Sequence, residues 1–167
     1  GFHLNRIEGL FLELKSGHFP VYIESYWMNG YGYANAIYYG DLFLYFPAIL
    51  RLLGVPVVAS YKLYLLAINI CTILICKYCF LKIFKEDAIA FFVTLAYCSA
   101  TYRMVNLFIR GAVGEYTAMM FLPLIGYCLY EIYGKNDQIL KEWKLIFVFA
   151  FSMSGILYSH LLTFEIT

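Results

Sequence analysis

Charge is what this sequence has least of. Asp, Glu, Lys and Arg together make up 14% of its 167 residues, against about 25% in soluble domains. The formal net charge is only +1. No basic patch is large enough to hold nucleic acid, so no nucleic acid is expected among its partners. A second C-x-x-C pair is also missing. Cys76 and Cys79 form one such pair, but Cys71, Cys76, Cys79, Cys98 and Cys128 all sit inside apolar runs. They read as small buried residues, with no disulfide framework. No signal peptide is visible either, because the sequence starts mid-pattern at Gly1-Phe2-His3 without Met; it also stops just after an apolar run. Both ends read as cuts in a longer polytopic chain.

What is abundant is apolar and aromatic: 63% hydrophobic, 20% Phe, Trp and Tyr, with a mean hydropathy of +0.72. The expected class is an all-α integral membrane protein. About four transmembrane helices follow an outer loop that carries two interfacial helices. The first interfacial helix covers residues 2–16, with Leu4, Ile7, Phe11 and Leu14 on one face and Asn5, Arg6, Glu8, Glu13 and Lys15 on the others. Ser16-Gly17 is its stop. From His18 to Asp41 no helical period is visible, and Asn29-Gly30-Tyr31-Gly32 signals a turn. A second short helix spans 42–53, too short to cross a hydrocarbon core that needs ~20 residues. Spans are expected at about 58–82, 88–104, 116–133 and 145–162. The organisation is thus an extracytoplasmic loop over 1–56 and a helical bundle over 57–167. Lys82, Lys85, Lys135, Lys141 and Lys144 place their short turns in the cytoplasm. The localisation is then the cell membrane, multi-pass, with the site facing the extracytoplasmic side.

That topology sends the unexplained polar residues to one side of the membrane: His3, Arg6, Asp41, Arg103, Asn106, Arg110, Glu115 and His160. An arginine pair suits a phosphate, because the guanidinium donates bidentately and stays charged. Arg103 and Arg110, with Arg6, are therefore candidate lipid-phosphate ligands. The competing reading is an ion pair of Arg103 or Arg110 with Glu115. Asp41 could act as a base or hold a metal, or it could cap the helix at Leu42. His3 could be a general acid or base, or an ordinary interfacial residue. His160 could support the site or hydrogen-bond a neighbouring span. Tyr31, Tyr33, Tyr38 and Tyr39 could stack on a sugar or anchor at the interface.

Four stretches also carry a resemblance: His3-Leu4-Asn5-Arg6-Ile7-Glu8-Gly9, Gly17-His18-Phe19-Pro20, Asn29-Gly30-Tyr31-Gly32-Tyr33, and Tyr38-Tyr39-Gly40-Asp41-Leu42-Phe43-Leu44-Tyr45. With Arg110-Gly111-Ala112-Val113-Gly114-Glu115, they resemble the YfhO-like bacterial membrane proteins, including those labelled "6-pyruvoyl-tetrahydropterin synthase-related". The resemblance covers nearly the whole chain. It implies a partial GT-C fold and the transfer of a sugar from a polyprenyl-phosphate carrier to a cell-envelope polymer on the outer face. It further implies a main catalytic acid upstream of Gly1, outside these residues, so this stretch alone is expected to be inactive. No cofactor is required by name, and a divalent metal is left open. The alternatives are a non-enzymatic lipid or polymer transporter and a structural membrane subunit.

Overall fold

A computed structural model describes all of the chain except Asn35, Ile37, Tyr38 and residues 135–142. Tyr38 and the charged turn of Lys135, Asp137, Lys141 and Glu142 therefore lie outside the described residues. The chain divides into two compact units, Gly1–Ala67 and Ile68–Thr167. The described residues are helical apart from loops and one isolated antiparallel bridge, Glu24 to Tyr33.

In the first unit, α1 is Phe2–Lys15. It ends at Ser16, and Gly17 takes a left-handed φ of 87° that glycine adopts without steric cost. Ile7 and Leu10 are fully buried, while Leu4, Phe11 and Leu14 are only half-buried. Arg6 and Glu13, expected on outward faces, are buried beside them. This corrects the amphipathic reading. The inward stripe of α1 is part charged because the chain after it folds back to satisfy those charges. Glu13 accepts from the backbone N–H of Ser25 at 2.7 Å, and its other carboxylate oxygen lies 2.8 Å from the His18 ring. Burial raises the Glu13 pKa, but the His18 and Ser25 hydrogen bonds outweigh it and hold the carboxyl below its ordinary value.

The second short helix is a 3₁₀ turn at Leu42–Leu44 running into α2, Tyr45–Leu52. Pro47 is tolerated because it falls in the first turn of α2, where its missing N–H has no helical partner to lose. Leu42, Phe46, Ile49 and Leu53 form an exposed stripe at helical spacing, opposite buried Leu44 and Ala48. Such an outward apolar stripe suits a helix lying in a membrane interface.

Helix α3, Val57–Phe84, runs from the first unit into the second and is the one single helix long and apolar enough to cross a membrane among the described residues. Its buried positions recur about every four residues: Ser60, Tyr64, Ile68, Thr72, Cys76 and Cys79. Leu63, Leu66, Ile70 and Leu74 face outward. Four of those six inward residues (Ser60, Thr72, Cys76 and Cys79) are small or polar while large aliphatics face outward, a pattern that suits a lipid-facing helix because lipid gives no hydrophobic reason to bury leucine.

The later helices are shorter than the spans read from hydropathy. Helix α4 is Asp87–Cys98 and α5 is Thr101–Val105, continued by a wider π-type turn over Asn106–Arg110. The two segments meet at a bend of 41°, and taken together they also pass for a span. Ser99 causes part of the break: its hydroxyl donates back to the Leu95 carbonyl at 2.7 Å, which bends helices. Gly111 (φ 61°) ends the π turn. Helix α6, Val113–Ala118, and α7, Leu122–Gly134, are separated at Met119–Phe121. The Tyr97 hydroxyl donates to the freed Met119 carbonyl at 2.6 Å. Helix α8 is Trp143–Ser159 and α9 is Leu161–Ile166. Glycines set the packing in this unit. A Cβ on Gly114 would stand 2.5 Å from the Ser159 carbonyl, and one on Gly155 would stand 2.5–2.8 Å from three atoms of the Phe121 ring.

Candidate functional site

Two polar clusters arise, one in each unit. In the first, Arg6 points from α1 to the chain just before α2. Its Nη2 donates to the Asp41 carboxylate, to Gly40 O at 3.2 Å and to Tyr39 O at 3.5 Å. The guanidinium lies 5.5 Å from the Tyr39 ring centroid and 5.6 Å from that of Phe2. Arg6, read above as a lipid-phosphate ligand, is thus turned to an internal acid. Asp41 does precede a helix, but its carboxylate makes no cap hydrogen bond; its backbone carbonyl accepts from Leu44 N at 2.8 Å. Burial raises the Asp41 pKa, and the Arg6 charge only partly offsets that. His3 is half-buried one turn before Arg6, its ring 5.2 Å from Phe2. Tyr31 is almost fully exposed, whereas Tyr33 stacks on Trp27 with centroids 5.4 Å apart.

The second cluster lies where the π turn meets α6. Arg110 Nη1 donates to Asn106 Oδ1 at 2.8 Å and to the Tyr102 hydroxyl at 3.4 Å, and pairs with Glu115 at 3.1 Å. Tyr102 in turn donates to Glu115. The pair is half open to solvent: the Arg110 side chain is 49% exposed and that of Glu115 12%. His160 stands at the near end of α8, where a Cβ on Gly114 would come within 3.5 Å of its ring. It caps α9, its Nδ1 accepting from Thr163 N at 3.2 Å. Of the eight polar residues expected together, Asn106, Arg110 and Glu115 are joined in this cluster, His160 hydrogen-bonds Thr163 instead, and His3, Arg6 and Asp41 lie in the first unit.

Arg103, one turn before Asn106, faces elsewhere and is fully buried. Its Nη2 donates to Asn69 at 3.1 Å and to Thr72 at 3.2 Å, both on α3, and its guanidinium lies 4.2 Å from the Tyr116 ring centroid. Nε and Nη1 have no hydrogen-bond partner, and no carboxylate pairs with it among the described residues. No family model, no curated protein and no solved structure matches this chain. The chemistry must therefore be argued from the residues.

Sequence reasoning passed over Asn69, Thr72 and Tyr116, which hold Arg103, and Glu24, which packs against α1; Trp27, which packs there too, reads from the sequence as an interfacial anchor. Asn69 and Thr72 did leave a signal. They are polar, three apart, in the middle of an apolar run, which in a span marks a partner on another helix. Glu24 gave none, because nothing in its neighbours foretells burial. No group of three or more His, Cys, Asp or Glu is placed to hold a metal among the described residues.

Proposed function

We propose that this chain belongs to a polytopic membrane glycosyltransferase that takes a sugar from a polyprenyl-phosphate carrier, with the lipid phosphate held by Arg103 and Arg110. Four passes are assigned to α3, the bent α4–α5 pair, α6 with α7, and α8. The observation that carries the reading is Arg103: a fully buried guanidinium with two idle donors and, among the described residues, no acid beside it. A buried cation without a counter-charge is costly, several kcal/mol after relaxation. An entering anion would relieve that cost. Arg110 supports the reading, because a half-exposed pair with Glu115 contributes little to stability and can exchange its carboxylate for a phosphate. In the reaction, an acceptor hydroxyl bonds to the anomeric carbon as the carbon–oxygen bond to phosphate breaks. The phosphate leaves with the bonding electrons, and the hydroxyl proton passes to the carboxylate that the YfhO-like resemblance puts ahead of Gly1. The arginines stabilise the charge gathering on the departing phosphate.

The test is sugar transfer by the complete protein in vesicles loaded with a polyprenyl-phosphate sugar. Arg103→Ala and Arg110→Ala should each reduce the rate by about a hundredfold or more, the scale for losing one charge-stabilising donor. Unchanged transfer in both variants, with protein present at wild-type levels, sinks the phosphate assignment. The Tyr102–Asn106–Arg110–Glu115 network favours a second, structural reading for Arg110 alone. Exchanging the two charges, Arg110→Glu with Glu115→Arg, separates them: retained transfer assigns Arg110 to internal pairing.

A further inference from the structure

An open groove of about 370 Å³ runs along α1 beside the turn that follows Trp27, at the small end of the ~300–1,000 Å³ typical of ligand pockets. Six residues define its chemistry: Asn5, Glu8, Gly9, Tyr26, Trp27 and Asn29. We propose that this groove binds an uncharged oligosaccharide. The proposal deepens the glycosyl-transfer reading, on which it rests only for the role of the sugar.

Charge decides the ligand class first. Among the described residues, no Lys, Arg or His lines the groove. Its one acid, Glu8, is already neutralised by Arg51, whose Nε and Nη2 donate to it at 3.0 and 3.2 Å. Neither a phosphate nor a polyanion would find a counter-charge here, and a cation would find that acid already taken. Two aromatics, two primary amides and the apolar side chains of Leu12 and Met28 remain beside Gly9. An aromatic ring offers an apolar surface to the C–H face of a sugar. Each amide carries two donors and an acceptor with two lone pairs, which matches neighbouring hydroxyls that both give and accept.

Rigidity is the second argument. Trp27 is held by Tyr33 stacked on it and by Phe2 edge-on at 6.1 Å. Gly9 allows close approach: a Cβ there would stand 2.5 Å from Glu24 Oε2 and 3.0 Å from Trp27 Nε1. Beyond Trp27, Met28 and Asn29 are both left-handed, with φ of 53° and 58°. Such a conformation is uncommon outside glycine and persists only where surrounding bonds enforce it. The Trp27 carbonyl does so, accepting from Gly30 N at 3.1 Å and Gly32 N at 3.0 Å. The turn that carries the Asn29 amide is thus fixed at the rim of the groove before any ligand arrives, which lowers the ordering cost of binding.

Saturation-transfer NMR on the complete protein in nanodiscs tests this with maltotriose, cellotriose and chitotriose, each up to about 10 mM. At least one should bind saturably, and Trp27→Phe and Asn29→Gly should each weaken it about tenfold or more. Asn29→Gly keeps the left-handed turn, since glycine adopts it freely, and removes only the amide, so its effect is not one of folding. Raising salt or adding inorganic phosphate should leave binding unchanged. Absence of saturable binding by all three sugars overturns the proposal. Undiminished binding in both variants, or competition by phosphate, overturns it equally. Binding that persists in a protein unable to use a polyprenyl-phosphate sugar supports the groove and removes only the transfer reading.

Discussion

Arg6 and Asp41 offer the most direct test of how the first unit is held. Their side chains are 3% and 4% exposed, and they bond to each other across 35 residues of sequence. Replacing Arg6 by Met leaves a buried carboxylate whose Oδ2 already lacks a partner. Removing one member of a buried pair typically costs ~3–5 kcal/mol. Protonation sets the ceiling. Binding a proton to a carboxyl of ordinary pKa ~3.9 at pH 7 costs about 1.4 kcal/mol for each of roughly three pH units, or ~4 kcal/mol. Arg6→Met should therefore destabilise the unit by ~3–4 kcal/mol at pH 7. The sign follows from linkage. Without Arg6, the Asp41 pKa in the folded chain lies far above that in the unfolded chain. Between the two values the folded state holds a proton that the unfolded state has released. Stability then falls as pH rises, by ~1.4 kcal/mol per unit, and the penalty shrinks toward pH 4. Arg6→Met combined with Asp41→Leu should cost far less than the two single changes added together, because neither charge is then left alone. The assay is denaturant unfolding in detergent, followed by the fluorescence of Trp27 in a Trp143→Phe background. Additive single costs, or an Arg6→Met penalty that does not move with pH, would refute the reasoning.

Three further outcomes are expected. Gly155→Ala should destabilise the second unit by ~1–3 kcal/mol, because its Cβ meets the buried Phe121 ring at 2.5 Å. Gly126→Ala, exposed in α7 with nothing within 4 Å, should stabilise by up to ~1 kcal/mol. Unfolding followed by Trp143 checks both, and equal signs for the pair would contradict the packing described. At acid pH, Glu13 contributes in the opposite sense to Asp41. Its folded pKa is depressed, so its stabilisation is complete above its unfolded value and is lost as pH falls through the folded one. Glu13→Gln should flatten the acid limb of the stability curve and lower its neutral plateau. An unchanged acid limb would remove Glu13 as its source.

Much of the helical framework was legible because its causes are local. The helical period over residues 2–16, the stop at Ser16-Gly17 and the turn at Asn29-Gly30 all act within a few residues. The long apolar run from Val57 to Phe84 forms one helix for the same reason. Helix breaks were harder to read. Hydropathy averages over a window and passes straight across Ser99, whose hydroxyl bonds back to the Leu95 carbonyl, and Met119, whose freed carbonyl is taken by Tyr97. At the site, residue type identified the arginines, and Arg110 with Glu115 was one of the two pairings the spacing left open. What spacing could not supply was direction. Arg103 and Arg110 lie seven residues apart on adjoining turns, yet one is buried against Asn69, Thr72 and Tyr116 while the other is half in solvent.

By itself, then, the sequence determined that this chain is helical and that α3 is apolar enough for lipid, because period and hydropathy are sums over neighbours. Only the tertiary structure decided which charges are buried. Whether Arg6, Glu13, Glu24, Asp41 and Arg103 can leave water depends on partners and packing supplied by distant residues, and no local pattern encodes them. That is also why Asp41, a plausible cap in the sequence, became the counter-charge of Arg6 in the fold.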